Sequence, residues 1–190
     1  MMTKPLRIAL TKGRLEKDTV TLLERVGLDC QNLHHKGRRL ILPLPQAGAE
    51  VVLAKAADVI TYVESGVCDI GIVGKDTIQE YASSLYELLD LGFGRCRFAL
   101  AVKQGSHFFE GYAPKTIATK YPKIARSYFE KQRMDVSVVK IEGSVELAPL
   151  LGLADGIVDI VETTIIYMNM LPICIEVQNL SSLDIACVIV

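Results

Sequence analysis

The sequence predicts an α/β protein of two lobes with mostly parallel sheets and a cleft between the lobes. Three observations carry this expectation. Short apolar runs alternate with stretches of helical period almost from the start, the pattern of strand–helix–strand units. The glycine break Gly92-Phe93-Gly94 interrupts that alternation near the middle, as a crossover between lobes would. The closing run Cys187-Val188-Ile189-Val190 needs a sheet to bury it, so the chain is expected to cross back. Lobe I is therefore assigned residues 1–93 plus 172–190, and lobe II residues 94–171. Two crossovers leave a cleft, a common setting for a small ligand.

Each element has a local reason. Leu6 to Leu10 is a compact apolar strand, and Lys12-Gly13-Arg14 is the turn after it. Leu15, Thr19, Leu22, Leu23 and Val26 recur at helical spacing, with Gly27 as C-terminal cap. Arg39 to Leu42 and Glu50 to Ala54 read as strands around a turn containing Pro and Gly. Asp58 is the expected cap of a helix running through Glu64 and ended by Gly66. Asp69 to Val73 is a strand and Lys75 to Tyr81 a short helix. The pattern restarts after Leu85 to Leu91, with a strand at Cys96 to Val102 and a polar segment at 103–115. Thr116 to Thr119 is a strand, and Pro122 suits the first turn of a helix reaching about Gln132. Val136 to Ile141 is a strand, Ser144 opens a short helix, and Gly156 to Val161 is a strand. Ile173 to Val177 and Ile185 to Val190 are the expected last strands.

Composition narrows the function. The formal charge is −1, so no global field recruits nucleic acid or an anionic membrane. No apolar run approaches the roughly 20 residues of a membrane span. Met1-Met2-Thr3-Lys4-Pro5 lacks the apolar core of a signal peptide, so the expectation is a cytoplasmic protein. The five cysteines are scattered without a CxxC spacing, which suits reduced core thiols. His34 and His35 beside Lys36, Gly37, Arg38 and Arg39 read as a solvated turn, and His107 as a loop residue.

Two nucleotide fingerprints fail. Gly74-Lys75 has Asp69 where a P-loop needs its first glycine, and Asp76 where it needs Ser or Thr. Gly92-Phe93-Gly94 has Arg97 where a dinucleotide fingerprint needs its third glycine. What remains is a set of strand-end segments. Thr11-Lys12-Gly13-Arg14 puts two cations and a permissive backbone after the first strand, which suits an anion. Gly71-Ile72-Val73-Gly74-Lys75-Asp76 repeats the design, although a helix start capped by local residues would look much the same. Asp90 to Arg97 offers a carboxylate and two arginines at the crossover. Gly143 to Thr164 gathers small residues, carboxylates and hydroxyls around a strand running into a loop. Thr163 and Thr164 could grip phosphate there, and Asp155, Asp159 and Glu162 could meet Mg²⁺ or sugar hydroxyls. An ordinary buried strand with a polar end reads equally well.

Together, Arg7 to Leu15, Asp58 to Asp76, Tyr86 to Arg97, Thr116 to Pro122 and Gly143 to Glu162 resemble the ATP phosphoribosyltransferases, in the family's order. The resemblance implies two α/β lobes like those of a type II periplasmic binding protein. It implies that N1 of ATP attacks C1 of phosphoribosyl pyrophosphate and expels pyrophosphate with Mg²⁺ present, opening histidine biosynthesis. Lys12, Gly13 and Arg14, with Lys55, would contact ATP and substrate phosphates, and Asp90, Arg95 and Arg97 would border the nucleotide. Glu146, Asp155, Asp159, Glu162, Thr163 and Thr164 would hold the phosphoribosyl group. No side-chain metal site is assigned. The length matches the short form, whose members work in a hetero-oligomer with a regulatory subunit resembling histidyl-tRNA synthetase and associate with themselves within it.

The likeness breaks after Thr163. The family's loop reads roughly Thr-Gly-x-Thr-Leu with a later Asn-Gly-Leu, whereas this chain continues Thr164-Ile165-Ile166 and later Asn169-Met170-Leu171. Glycine lets backbone N–H groups fold round a phosphate at positive φ, and β-branched isoleucine resists that conformation. Lys55 stands where the family prefers arginine, keeping the charge without the bidentate fork, and Ile60 where it prefers proline. Two other readings share this architecture: a non-catalytic relative that binds nucleotide only, and a cytoplasmic solute-binding module.

Overall fold

The computed structural model describes residues 4–103 and 105–161, together with the backbone of 178–183 and 186–189. The chain divides into two compact units, Met1–Arg95 with Asp184–Val190, and Cys96–Leu183.

In the first unit β1 (Leu6–Thr11) leads through Lys12-Gly13 into α1 (Arg14–Arg25). A single helical turn, α2 (Gln31–His34), precedes the hairpin of β2 (Ile41–Leu44) and β3 (Ala49–Ala54). Then follow α3 (Ala56–Glu64), β4 (Ile70–Gly74), α4 (Lys75–Tyr81) and β5 (Glu87–Asp90). With the returning β11 (Ala186–Ile189) the sheet order is β2-β3-β1-β4-β11-β5. Its centre, β3-β1-β4, is parallel, and β2, β11 and β5 add antiparallel pairs. Neighbours on β1 face opposite ways, yet Ala9 and Leu10 are both fully buried, so helices or loops cover both faces. One face packs Leu10 with Val20, Leu33, Leu42, Leu53 and Ile72, and the other packs Ala9 with Val59, Ile60, Val63 and Val73.

The second unit contains β6 (Cys96–Val102), β7 (Lys115–Thr119), α5 (Pro122–Lys131), β8 (Val136–Lys140), α6 (Leu147–Leu150), β9 (Gly156–Val161) and β10 (Gln178–Leu183). Its sheet order is β10-β6-β9-β7-β8, with β9-β7-β8 parallel and the other pairs antiparallel. Phe98, Leu100, Ile117, Phe129 and Val158 are nearly or completely buried.

Four differences from the sequence expectations have physical reasons. α3 starts at Ala56 after an extended Lys55, so Asp58 lies inside the first turn rather than capping it, where its charge still favours the helix dipole. His34 closes a helical turn, with its Nε2 2.6 Å from Glu24, rather than lying in an irregular loop. β10 pairs with β6, so residues 178–183 join the second unit and the return to the first comes at 184 instead of 172. The first passage between units falls after Arg95 rather than Phe93. The strand expected at Ile173 to Val177 lies outside the described residues. Cys30, Cys68 and Cys96 are buried, and burial pushes the Cys30 and Cys68 thiols up.

Helix ends show one exploitable irregularity. After α1, Gly27 at positive φ donates to the Glu24 carbonyl and Leu28 to the Leu23 carbonyl, a Schellman closure. α5 closes the same way through Arg133 and Met134, but Arg133 sits at φ 56° with a side chain. A left-handed non-glycine residue costs about 1–2 kcal/mol, which the entropy lost by glycine partly offsets. Arg133→Gly is therefore expected to stabilise the protein by about 0.5–1 kcal/mol, read as a higher urea midpoint at unchanged slope.

Candidate active site

In the first unit the parallel register gathers charge. Thr11 pairs with Ala54, so Lys12 and Lys55 follow the ends of neighbouring strands, and Lys75 follows the end of β4 on the other side of β1. Carboxyl ends of parallel strands are where open α/β sheets bind ligands. Lys12 and Lys55 are exposed with no ion-pair partner among the described residues, whereas Lys75 reaches Glu87 at 3.1 Å. α1 and α3 begin at this same edge, so their first-turn N–H groups, unpaired within the helix, add positive potential.

The turn after β1 is sharply defined. Gly13 adopts φ 102° and ψ −130°, which side chains resist. Its N–H donates to Glu16 Oε2 at 3.3 Å, and Lys12 N–H donates to the Ala54 carbonyl at 3.0 Å. Arg14 Nη2 donates to the Gly94 carbonyl at 3.3 Å, tying the turn to the segment that follows β5. Gly94 adopts φ 75°, a conformation strained for side chains, and a Cβ there would press on Leu15 Cδ2 at 2.9 Å. Asp90 accepts from Gly92 N–H at 2.8 Å and shapes the same segment, and Arg95 is exposed at its end.

In the second unit the carboxyl ends of β7 and β9 carry another group. The Thr119 hydroxyl donates to the Val158 carbonyl at 2.6 Å and accepts from Tyr121 N–H at 2.9 Å, locking the turn that bears Lys120. Asp159 on β9 is the perturbed carboxyl there. Burial raises its pKa, an accepted hydrogen bond from Ile160 N–H at 2.8 Å opposes that, the Glu146 charge adds to the rise, and Lys120 opposes it. Glu146 itself stands at the start of α6. Lys120 is a member of this cluster that the site assignment from sequence lacked; its signal was the Thr119-Lys120-Tyr121-Pro122 turn directly after a strand. Arg97 pairs in register with Val161, so it belongs to the strand end leading toward Glu162, Thr163 and Thr164, three expected site residues outside the described set.

Asp155 is not brought to this group. It precedes β9, and the strand's rise of about 3.3 Å per residue carries residue 161 about 20 Å away. Its Oδ2 accepts from Thr116 N–H at 2.7 Å and its N–H donates to the Thr116 carbonyl at 2.8 Å, clamping the amino ends of β7 and β9. A cavity of about 410 Å³ lies at that far end, lined by Lys103, His107, Phe108, Lys115, Leu153 and Asp155 among others. The perturbed carboxyl and its charged neighbours stand at the opposite strand ends.

Asp159 has a testable signature. Its folded pKa lies above its unfolded value, so its contribution favours folding below the unfolded value and is lost as pH rises through the folded one. Ionised Asp159 therefore destabilises the protein at neutral pH. Asp159→Asn, which keeps the acceptor for Ile160 N–H, is expected to raise the urea midpoint at pH 7 and to lose that advantage toward pH 3.

A family model described as HisG, ATP phosphoribosyltransferase, matches residues 55–183, a span that runs through the segment after Thr163. An ATP phosphoribosyltransferase of Clostridium kluyveri is 59% identical over 160 residues, covering 84% of this chain and 73% of that one. One from Bacillus cereus is 54% identical over 158 residues, covering 83% and 74%. Among solved structures, the ATP phosphoribosyl transferase (HisG:HisZ) complex from Thermotoga maritima matches with a TM-score of 0.72 at 28% identity, over 97% of this chain and 85% of that one. The arginine-bound form of truncated ArgBP from T. maritima matches at TM-score 0.57 and 13% identity, over 98% and 88%, which is a likeness of fold. With a family model over two thirds of its length and relatives more than half identical, this chain belongs to the ATP phosphoribosyltransferase family.

Proposed function

We propose that this chain is a short-form ATP phosphoribosyltransferase catalytic subunit, joining N1 of ATP to C1 of phosphoribosyl pyrophosphate with release of pyrophosphate, the first step of histidine biosynthesis. The observation that carries the reading, beside family membership, is the row of Lys55, Lys12 and Lys75 after three parallel strands. Both substrates are polyanions, so the protein's task is to hold them in line while negative charge builds on the leaving group. Lys12, Arg14 and Lys55 supply charge to phosphates, Gly13 supplies the turn that lets a phosphate approach, and Asp90 and Arg95 border the nucleotide. Glu146 and Asp159 sit beside the ribose, where carboxylates favour a cationic C1, and the Lys120 charge opposes theirs. Glu162, Thr163 and Thr164 belong to the phosphoribosyl side by resemblance, whereas Asp155 acts there only through the strands it clamps.

Mg²⁺ enters this reading on the pyrophosphate oxygens. No cluster of three or more His, Cys, Asp or Glu side chains suited to a metal occurs among the described residues, and Mg²⁺ commonly rides on substrate phosphates with few protein ligands. The partner is a HisZ-type regulatory subunit, by analogy with the T. maritima complex, with self-association of this chain inside the hetero-oligomer. A cytoplasmic location fits this role; among the described residues no helix is long and apolar enough to cross a membrane.

The second reading, a nucleotide-binding relative without catalysis, draws on Ile165, Ile166 and Met170 where the family carries loop glycines and hydroxyls. Formation of phosphoribosyl-ATP from ATP, phosphoribosyl pyrophosphate and Mg²⁺, with the regulatory subunit present, separates the two. Product is expected, and Lys12→Ala is expected to raise KM about tenfold or more without loss of cooperative unfolding. Absent product with ATP still bound would overturn catalysis and locate the fault in residues 162–170.

A further inference from the structure

Glu16 stands out as a buried charge at an anion-binding edge. It lies in the first turn of α1, two residues after Arg14, with only 9% of its side chain exposed. One carboxylate oxygen accepts from Gly13 N–H, and the other meets the ammonium of Lys36, whose side chain is 37% exposed and comes from the segment between α2 and β2. A cap needs only an acceptor, and a neutral amide would serve. A full negative charge beside Lys12 and Arg14 works against phosphate binding unless it is neutralised, and Lys36 does that from outside the helix.

We propose that Glu16 and Lys36 are a positioning pair for polyphosphate binding: Glu16 fixes the backbone of Gly13, and Lys36 cancels the charge that would otherwise repel the substrate. This deepens the phosphate role assigned above to Lys12, Gly13 and Arg14 and rests on it. As a merely structural ion pair, it would stabilise the fold and leave substrate affinity alone. As a positioning pair it makes an ordered prediction. Lys36→Met leaves Glu16 uncompensated and should weaken binding of ATP and of pyrophosphate about tenfold or more. Glu16→Gln keeps the acceptor, leaves the Lys36 charge uncancelled and should bind more tightly than the parent. The double variant is neutral at both positions and should recover most of the affinity lost by Lys36→Met, as should Lys36→Arg.

The test is calorimetric titration of the full-length variants with ATP and with pyrophosphate, alongside KM and kcat for the complex with the regulatory subunit and a urea unfolding curve for each. The expected result is a raised Kd and KM in Lys36→Met with kcat nearly unchanged, rescued in the double variant. Unchanged affinity in a folded Lys36→Met, or a double variant as weak as Lys36→Met, would overturn the proposal. Should Lys36→Met unfold, Glu16→Gln decides: equal or weaker polyphosphate binding by that folded variant overturns it, and tighter binding supports it. The two readings fail separately. Altered affinity without turnover retires the reaction and keeps the pair, and turnover with unaltered affinity does the reverse.

Discussion

The parallel pairing of β1 with β3 and β4 is the constraint from which the first unit's chemistry follows. Parallel strands all end at one edge, so the residue after each strand arrives at the same place whatever its distance along the chain. Lys12, Lys55 and Lys75 are far apart in sequence and become neighbours only through this register. The helices that follow begin where the strands stop, which aims their N-termini the same way. The same rule orders the second unit, where β7 and β9 deliver Thr119, Lys120 and Asp159 to one edge. Each edge joins a turn held by hydrogen bonds to side chains whose charges were placed by topology.

Two carboxylates on the second sheet show how position along one strand decides chemistry. Asp155 and Asp159 are four residues apart. Asp155 is exposed and spends its acceptors on the neighbouring strand's backbone, so it contributes registry. Asp159 is half-buried near Glu146, which makes its charged form costly. A carboxylate kept in that state destabilises the resting protein, and such a cost is retained where the charge has work to do. The nearby charge of the exposed Glu146 adds to that cost, and a cationic group close to Asp159 would relieve it.

Nearly every element was legible in the sequence because local and long-range signals agreed. The apolar run of β1, the helical period of α1 ended by Gly27, and Pro122 opening α5 each point to one structure. The exceptions share a cause. α2 is one turn long, too short for a period to register, and the basic run from His34 to Arg39 masked it. β5 is exposed along its length, so Leu88 and Leu89 show no alternation between covered and open faces. β10 reads Gln178 to Leu183 and is polar, so only its pairing with β6 marks it as a strand. The candidate site was readable in its cations, because lysines and arginines directly after apolar strands are conspicuous. It was less readable in its carboxylates, because separating Asp155 from Asp159 requires strand direction as well as sequence.

The net charge sharpens the electrostatic argument. A chain at −1 offers a polyanion no attraction at a distance, and at physiological salt exposed charges are screened within about 8 Å. Attraction must therefore come from cations brought within a few ångströms of one another, and that gathering has to be done by the fold. Gathering also creates the opposite hazard: a single uncompensated carboxylate inside such a cluster removes a large share of its field. Glu16 is such a carboxylate, needed for the shape of the Gly13 turn, and Lys36 is the charge that makes its presence tolerable. Backbone shape and local charge at this turn are thus set by one side chain through two contacts, which ties the geometry of the strand end to its affinity for phosphate.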